Sequence, residues 1–146
     1  MNSQGIEVIE SPRGLIATII RKSFRAEGLK FVTPDHFPQQ LACMSHPKGK
    51  QIDAHWHPDQ KRENLKTQEV LIIRAGSVRV DFYDHDQKYI LSKVLQAGDV
   101  VLLAGGGHGF EVLEDLDMVE VKTGPYLEAK DKIRFSHVDP AKIRIN

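Results

Sequence analysis

Glu69-Val70-Leu71-Ile72-Ile73-Arg74-Ala75-Gly76-Ser77-Val78-Arg79-Val80-Asp81-Phe82-Tyr83 carries two strand signals in succession. Glu69 to Ala75 is an almost uninterrupted apolar run that stops at Gly76. Val78 to Tyr83 then alternates, with Val78, Val80 and Phe82 on one face and Arg79, Asp81 and Tyr83 on the other. Side chains along a strand point to opposite faces in turn, so this alternation describes a half-buried strand. Asp84-His85-Asp86-Gln87 is turn chemistry and predicts a hairpin. The same rhythm continues outward, through Tyr89 to Leu95, Val100 to Ala104, Phe110 to Leu113 and Met118 to Thr123. Leu15 to Arg21, Gly28 to Thr33 and Gln40 to His46 precede it, and Lys132 to Val138 and Ile143 to Ile145 are candidate closing strands. With the histidine strand described next, that gives about ten short strands and no amphipathic helix, so the expected class is all-β, closed as a sandwich or barrel. Only the polar loop from Pro58 to Gln68 breaks the rhythm, and no repeat or inter-domain linker is visible.

The chemistry-bearing residues lie at strand ends. Gly49-Lys50-Gln51-Ile52-Asp53-Ala54-His55-Trp56-His57 reads as a strand, which would aim His55 and His57 the same way and Trp56 the opposite way, into packing or a subunit contact. Glu69 opens an apolar strand, where a carboxylate is costly to bury unless it is paired or coordinated. His108 stands within Gly105-Gly106-Gly107-His108-Gly109, at the start of a further strand. In an antiparallel barrel His55, His57, Glu69 and His108 would converge. Three imidazoles and a carboxylate suit a borderline divalent ion, Fe, Mn, Ni or Zn, and leave positions open for water or substrate. The alternative is a polar barrel mouth in which His55 and His57 hydrogen-bond without metal. The glycine run is read as a tight turn, because no Gly-Lys-Ser/Thr follows it as a phosphate loop requires. His85 is read as solvated, Tyr126 as a rim or core residue, and Lys122, Lys132 and Arg134 as surface charges with the capacity to grip a phosphate.

Composition bounds the function classes. The chain has 146 residues, a length that fits one domain, 1–146, with 1–39 as an N-terminal β extension. Its 20 basic and 20 acidic side chains cancel, so no global field draws nucleic acid or anionic lipid. No apolar segment approaches the roughly 20 residues that span a bilayer. The lone Cys43 excludes an internal disulfide and is read as a buried thiol. With no signal-peptide pattern at the N-terminus, a cytoplasmic protein is expected.

These residues resemble the motifs of the cupin superfamily. Gly49, His55, His57, Glu69 and Gly76 fill the first motif with its outer spacings kept, while eleven residues separate His57 from Glu69 where three or four are usual. Glu63 lies nearer the usual spacing but has no apolar strand after it. In the second motif Gly98 and Gly106 match, Ala104 replaces a proline, His108 arrives one residue early and Val112 stands where an asparagine is usual. The resemblance implies a double-stranded β-helix, or jelly-roll, barrel with His55, His57, Glu69 and His108 as metal ligands. From Gln68 through Tyr126 the chain is similar to small single-domain cupins among bacterial surface-polysaccharide genes. That likeness implies an isomerase or epimerase acting on a sugar or nucleotide sugar. An Fe(II)-dependent dioxygenase of small molecules and a non-catalytic sugar- or effector-binding module are the alternatives. A homodimer is also implied, with Leu15 to Ile20 as an exchanged or packed edge strand.

Overall fold

The computed structural model describes residues 4–146, the side chains of Glu128 and Ala129 excepted. The chain falls into two compact units, one built from the chain up to Phe24 and from Lys66 onward, the other from Arg25–Leu65.

The first unit is a six-stranded antiparallel sheet. Strand β5, Glu69–Tyr83, is its axis. β7 (Val100–Leu103) and β6 (Tyr89–Gln96) share one edge of β5 in succession, and β8 (Gly107–Lys122) runs along the other from end to end. Beyond β7 lie β2 (Gly14–Ile20) and β1 (Ile6–Ser11), paired in turn. The sheet is strongly curled into a half-barrel, so the all-β, jelly-roll-like class expected from the sequence is what the chain adopts.

The curl originates at Gly76. Leu71 and Ile73 are buried before it and Val78, Val80 and Phe82 after it, so the inward-facing set switches from odd to even positions across the bend. Such a switch requires an extra residue in the ladder, and the β5–β8 register is irregular at three steps between Ile73 and Val78. Gly76 has a φ of 77°, and a Cβ there would stand 2.0 Å from the Asp115 carbonyl oxygen. Only glycine satisfies both conditions. Gly76 therefore does not stop the strand, as its sequence suggested. It bends a single 15-residue strand, and Phe110 to Leu113 and Met118 to Thr123 likewise fuse into one β8 on the other side of the bend.

The Asp84–Gln87 turn forms as expected. Asp84 N–H donates to Lys88 O at 2.8 Å, and the Asp84 carboxylate accepts from the N–H groups of Asp86 and Lys88. β1 was not foreseen. It places β2 in the interior of the sheet, with Ile16 to Ile20 buried, so Leu15 to Ile20 presents no free edge to a second copy. The segment from Lys132 to Val138 is extended without being a strand, and of the last stretch only Ile145 pairs, in an isolated parallel bridge to Ser92. No helix among the described residues is long and apolar enough to cross a membrane.

The second unit holds a two-stranded hairpin, β3 (Gly28–Phe31) with β4 (Ala42–Ser45). Thr33 Oγ1 accepts from Leu41 N–H and donates to Gln40 Oε1, both at 3.0 Å, and so closes the loop between them. Residues 50–65 have no strand, which corrects the expected His-x-His strand. A strand is held by a partner's ladder bonds and by burial of one face. These residues are exposed throughout, ladder-free, and interrupted by Pro58.

Replacing Gly76 with Ala is expected to lower unfolding free energy by about 2 kcal/mol or more. Denaturant titration of the two proteins measures it; an unchanged midpoint would mean that the bend is not set by Gly76.

Candidate functional site

Cross-strand partners share a face of the sheet, which fixes where the candidate residues point. Glu69 lies opposite Leu103 on β7 and Lys122 on β8. Leu71 and Ile73, two and four residues on, enter the core, so Glu69 is the last inward residue of that row, at the barrel mouth. His108 lies opposite Phe82 and Phe110 opposite Val80, both core residues, so His108 also faces inward. The short Gly105–Gly106 turn after β7 is pinned by Ile16 O, which accepts from the N–H groups of Ala104 and Gly105. It brings His108 back over the Leu103 neighbour, Glu69.

The two side chains meet. His108 Nε2 is 3.3 Å from Glu69 Oε2, with the carboxylate 8 % exposed and the imidazole 30 %. Because the carboxylate only accepts, Nε2 is assigned as the protonated nitrogen. The hydrogen bond from His108 holds the Glu69 carboxyl below its ordinary value of 4.5; burial pushes the other way and is outweighed, with further help from the His108, Lys132 and Lys122 charges. Glu69 is thus a buried carboxylate kept ionised at neutral pH.

A second ion pair lies beside the first. Lys122 is bonded to Asp131, which also accepts from Thr67 Oγ1 at 3.4 Å, and its ammonium stands 5.3 Å from the Tyr126 ring centre. Tyr126 itself is exposed at the surface. Around these groups is a cavity of about 550 Å³, whose walls include Glu69, His108, Phe110, Lys132, Arg134 and Phe135. That size and mixture of aromatic and convergent polar groups suit a small-molecule ligand.

The segment after Asp131 closes one side of this cavity. Phe135 and His137 lie over Gly107 and Gly109, where a Cβ would come within 2.7 Å of Phe135 Cζ and 3.2 Å of the His137 ring. Phe135 meets the Tyr83 ring edge-on at 4.9 Å, and Val138 N–H donates to Tyr83 Oη at 2.9 Å. Further along, Arg144 N–H donates to Tyr89 Oη at 2.8 Å. Tyr89 is bonded to Ser92, and Ser92 donates to Asp81 at 2.5 Å. Asp81 accepts from Arg79 Nε and Nη2 at 2.8 and 3.0 Å. Burial raises the Asp81 carboxyl, but the Arg79 and Ser92 bonds outweigh it and leave it below its usual range. This chain of polar contacts, buried at Ser92 and Asp81 and exposed at Arg144, fastens the C-terminal strap to the sheet.

Of the four residues singled out for metal binding, the structure brings Glu69 and His108 together in the first unit. His55 and His57 belong to the second, exposed, with ring centres 5.3 Å apart and with His55 Nδ1 2.8 Å from Asp53 O. Within neither unit, among the described residues, do three or more His, Cys, Asp or Glu side chains form a group that could hold a metal ion. The donor chemistry of the four suits a divalent ion, but either pair alone falls short of a metal site. Trp56, expected in packing or a subunit contact, is 80 % exposed in the single chain, and the Cys43 thiol is half-buried, with burial pushing its pKa up. His85, read as solvated, stands 3.4 Å from Ser11 Oγ. Asp131, Thr67, Phe135 and His137 were not anticipated in the site. The signal that could have found the last two is the pair Gly107 and Gly109 flanking His108, which leaves room above the strand. Comparison with family models, curated proteins and solved structures found no match.

A carboxyl whose folded-state value is depressed stabilises the fold above its unfolded value, and that contribution disappears as pH falls through the folded value. The stability advantage of wild type over Glu69→Gln is therefore expected to be full at neutral pH and to shrink below about pH 4.5, the ordinary value of this group. Denaturant midpoints across that range measure it; an advantage constant with pH would show that Glu69 gains nothing from ionisation.

Proposed function

We propose that this protein is a cupin-like isomerase or epimerase acting on a sugar or nucleotide sugar, with Glu69 and His108 as its proton-handling pair. One observation carries the reading: a buried, ionised carboxylate bonded to an imidazole at 3.3 Å, facing a cavity of about 550 Å³. Isomerisation next to a carbonyl needs a base to remove a proton from carbon and an acid to return one. The Glu69 carboxylate orients the imidazole through Nε2, which leaves Nδ1 as the acceptor of a substrate proton. The apolar wall of Phe110 and Phe135 limits water around the exchanging proton.

Solvent-deuterium incorporation into a panel of keto and aldo sugar phosphates and nucleoside diphosphate sugars tests this. His108→Gln and Glu69→Gln are expected to lose exchange by about 100-fold or more. Both should melt within a few degrees of wild type. Full exchange in either folded variant would end the assignment.

The second reading is a metalloprotein, with His55, His57, Glu69 and His108 as candidate ligands for Fe, Mn, Ni or Zn, in which Glu69 and His108 would be ligands in place of the proton-handling pair. The favourable observation is that two of these four already share the barrel mouth. Such an ion would supply Lewis acidity toward a substrate carbonyl. Elemental analysis of wild type beside His55→Ala and Glu69→Ala decides it. Near-stoichiometric metal lost in both variants is expected; no metal even after reconstitution leaves the pair as a metal-free acid–base device. Iron accompanied by oxygen uptake would favour the dioxygenase instead.

A further inference from the structure

Two acids, Glu69 and Asp131, and two strap cations, Lys132 and Arg134, line the cavity. Glu69 is taken by His108 and Asp131 by Lys122. Lys132, Arg134 and His137 remain on the strap that forms the cavity wall. Among the described residues neither Lys132 nor Arg134 has an acidic side chain at ion-pair distance. Ordinary surface lysines and arginines are mobile and solvated, so exposure alone would make them unremarkable. These two differ because the strap beneath them is pinned. Phe135, next to Arg134, is held between the Tyr83 ring and the bare backbone of Gly107, and Val138 is tied to Tyr83 Oη. Two cations on a pinned backbone, one of them an arginine suited to bidentate contact, therefore border a cavity whose acids already have partners, Glu69 in His108 and Asp131 in Lys122.

We propose that Lys132 and Arg134 form an anion subsite, and that the molecule bound beside the Glu69–His108 pair carries a phosphate or carboxylate group. The subsite stands on its own geometry; its catalytic meaning, the placing of a reactive carbon beside His108, rests on the acid–base reading above. An anion at this end of the cavity neutralises the strap and leaves the apolar wall to the uncharged part of the ligand. Phosphate and carboxylate share the chemistry that guanidinium and ammonium groups recognise, so the probes must separate them.

Isothermal titration at fixed ionic strength, with inorganic pyrophosphate, inorganic phosphate and malonate as separate probes, tests the subsite on the full chain. Pyrophosphate is expected to bind wild type and to bind Lys132→Ala/Arg134→Ala at least tenfold more weakly. Lys61→Ala/Arg62→Ala removes the same charge from the exposed segment of the second unit, and should change binding less than twofold. Gly107→Ala, which intrudes on Phe135 without touching either cation, should also weaken binding. Malonate binding with no phosphate binding would identify a carboxylate as the recognised group, and the reverse order a phosphate. Equal losses in the two double variants, or no binding of any probe at millimolar concentration, would overturn the proposal. Glu69→Gln should bind pyrophosphate at least as tightly as wild type. Loss of the catalytic reading and loss of the subsite are thus read from different variants.

Discussion

The bend of β5 at Gly76 is the constraint on which the first unit depends. One strand has to pair with β7 and then with β6 along a single edge, while β8 follows the other edge throughout. A straight strand cannot keep its apolar residues inward across that change of neighbours. The left-handed residue at position 76, set against the Asp115 carbonyl with no room for a side chain, shifts the alternation by one. From that shift follow the curl of the sheet, the continuous core from Leu71 to Phe82, and the mouth at which the inward row ends. Glu69 is at the mouth because it is the first residue of this strand, and His108 reaches it because β7 and β8 lie on opposite edges of β5 and are joined by a turn of glycines.

The electrostatics of the mouth follow from burial. A carboxylate with so little access to water needs a permanent partner, and His108 supplies it through Nε2. The neighbouring Lys122–Asp131 pair occupies the other acidic group of the pocket. The pocket is therefore polarised, with the hydrogen-bonded Glu69–His108 pair on the sheet side and the Lys132 and Arg134 cations on the strap side. The strap is held at its far end by the Arg79–Asp81–Ser92–Tyr89 chain and at the cavity by Tyr83 and Gly107.

Much of this was legible in the residues. Alternation at Val78, Val80 and Phe82 gave the inward face of β5, and the cost of burying Glu69 marked it as a paired group before any geometry was known. His108 stood out by its glycine surroundings. Gly76 was misread as an end because a glycine after an apolar run looks the same whether the chain stops or bends; the carbonyl of Asp115, nearly forty residues away in sequence, decides between them. The His-x-His stretch carries strand-like alternation, yet alternation is necessary and not sufficient, and residues 50–65 have neither a ladder partner nor a buried face. Phe135 and His137 lie over Gly107 and Gly109, and glycines leave no side-chain pattern to read.

The central claim is that Glu69 is an ionised carboxylate held by His108. Carbon-13 NMR titration of the glutamate side-chain carboxyls, with Glu69 assigned by its loss in Glu69→Gln, measures this without any substrate. The account requires Glu69 to titrate below its ordinary value of 4.5, and to move up when His108 is replaced by Ala, since burial then acts with less opposition. A Glu69 that titrates at or above that value in wild type, or that is indifferent to His108, would contradict it.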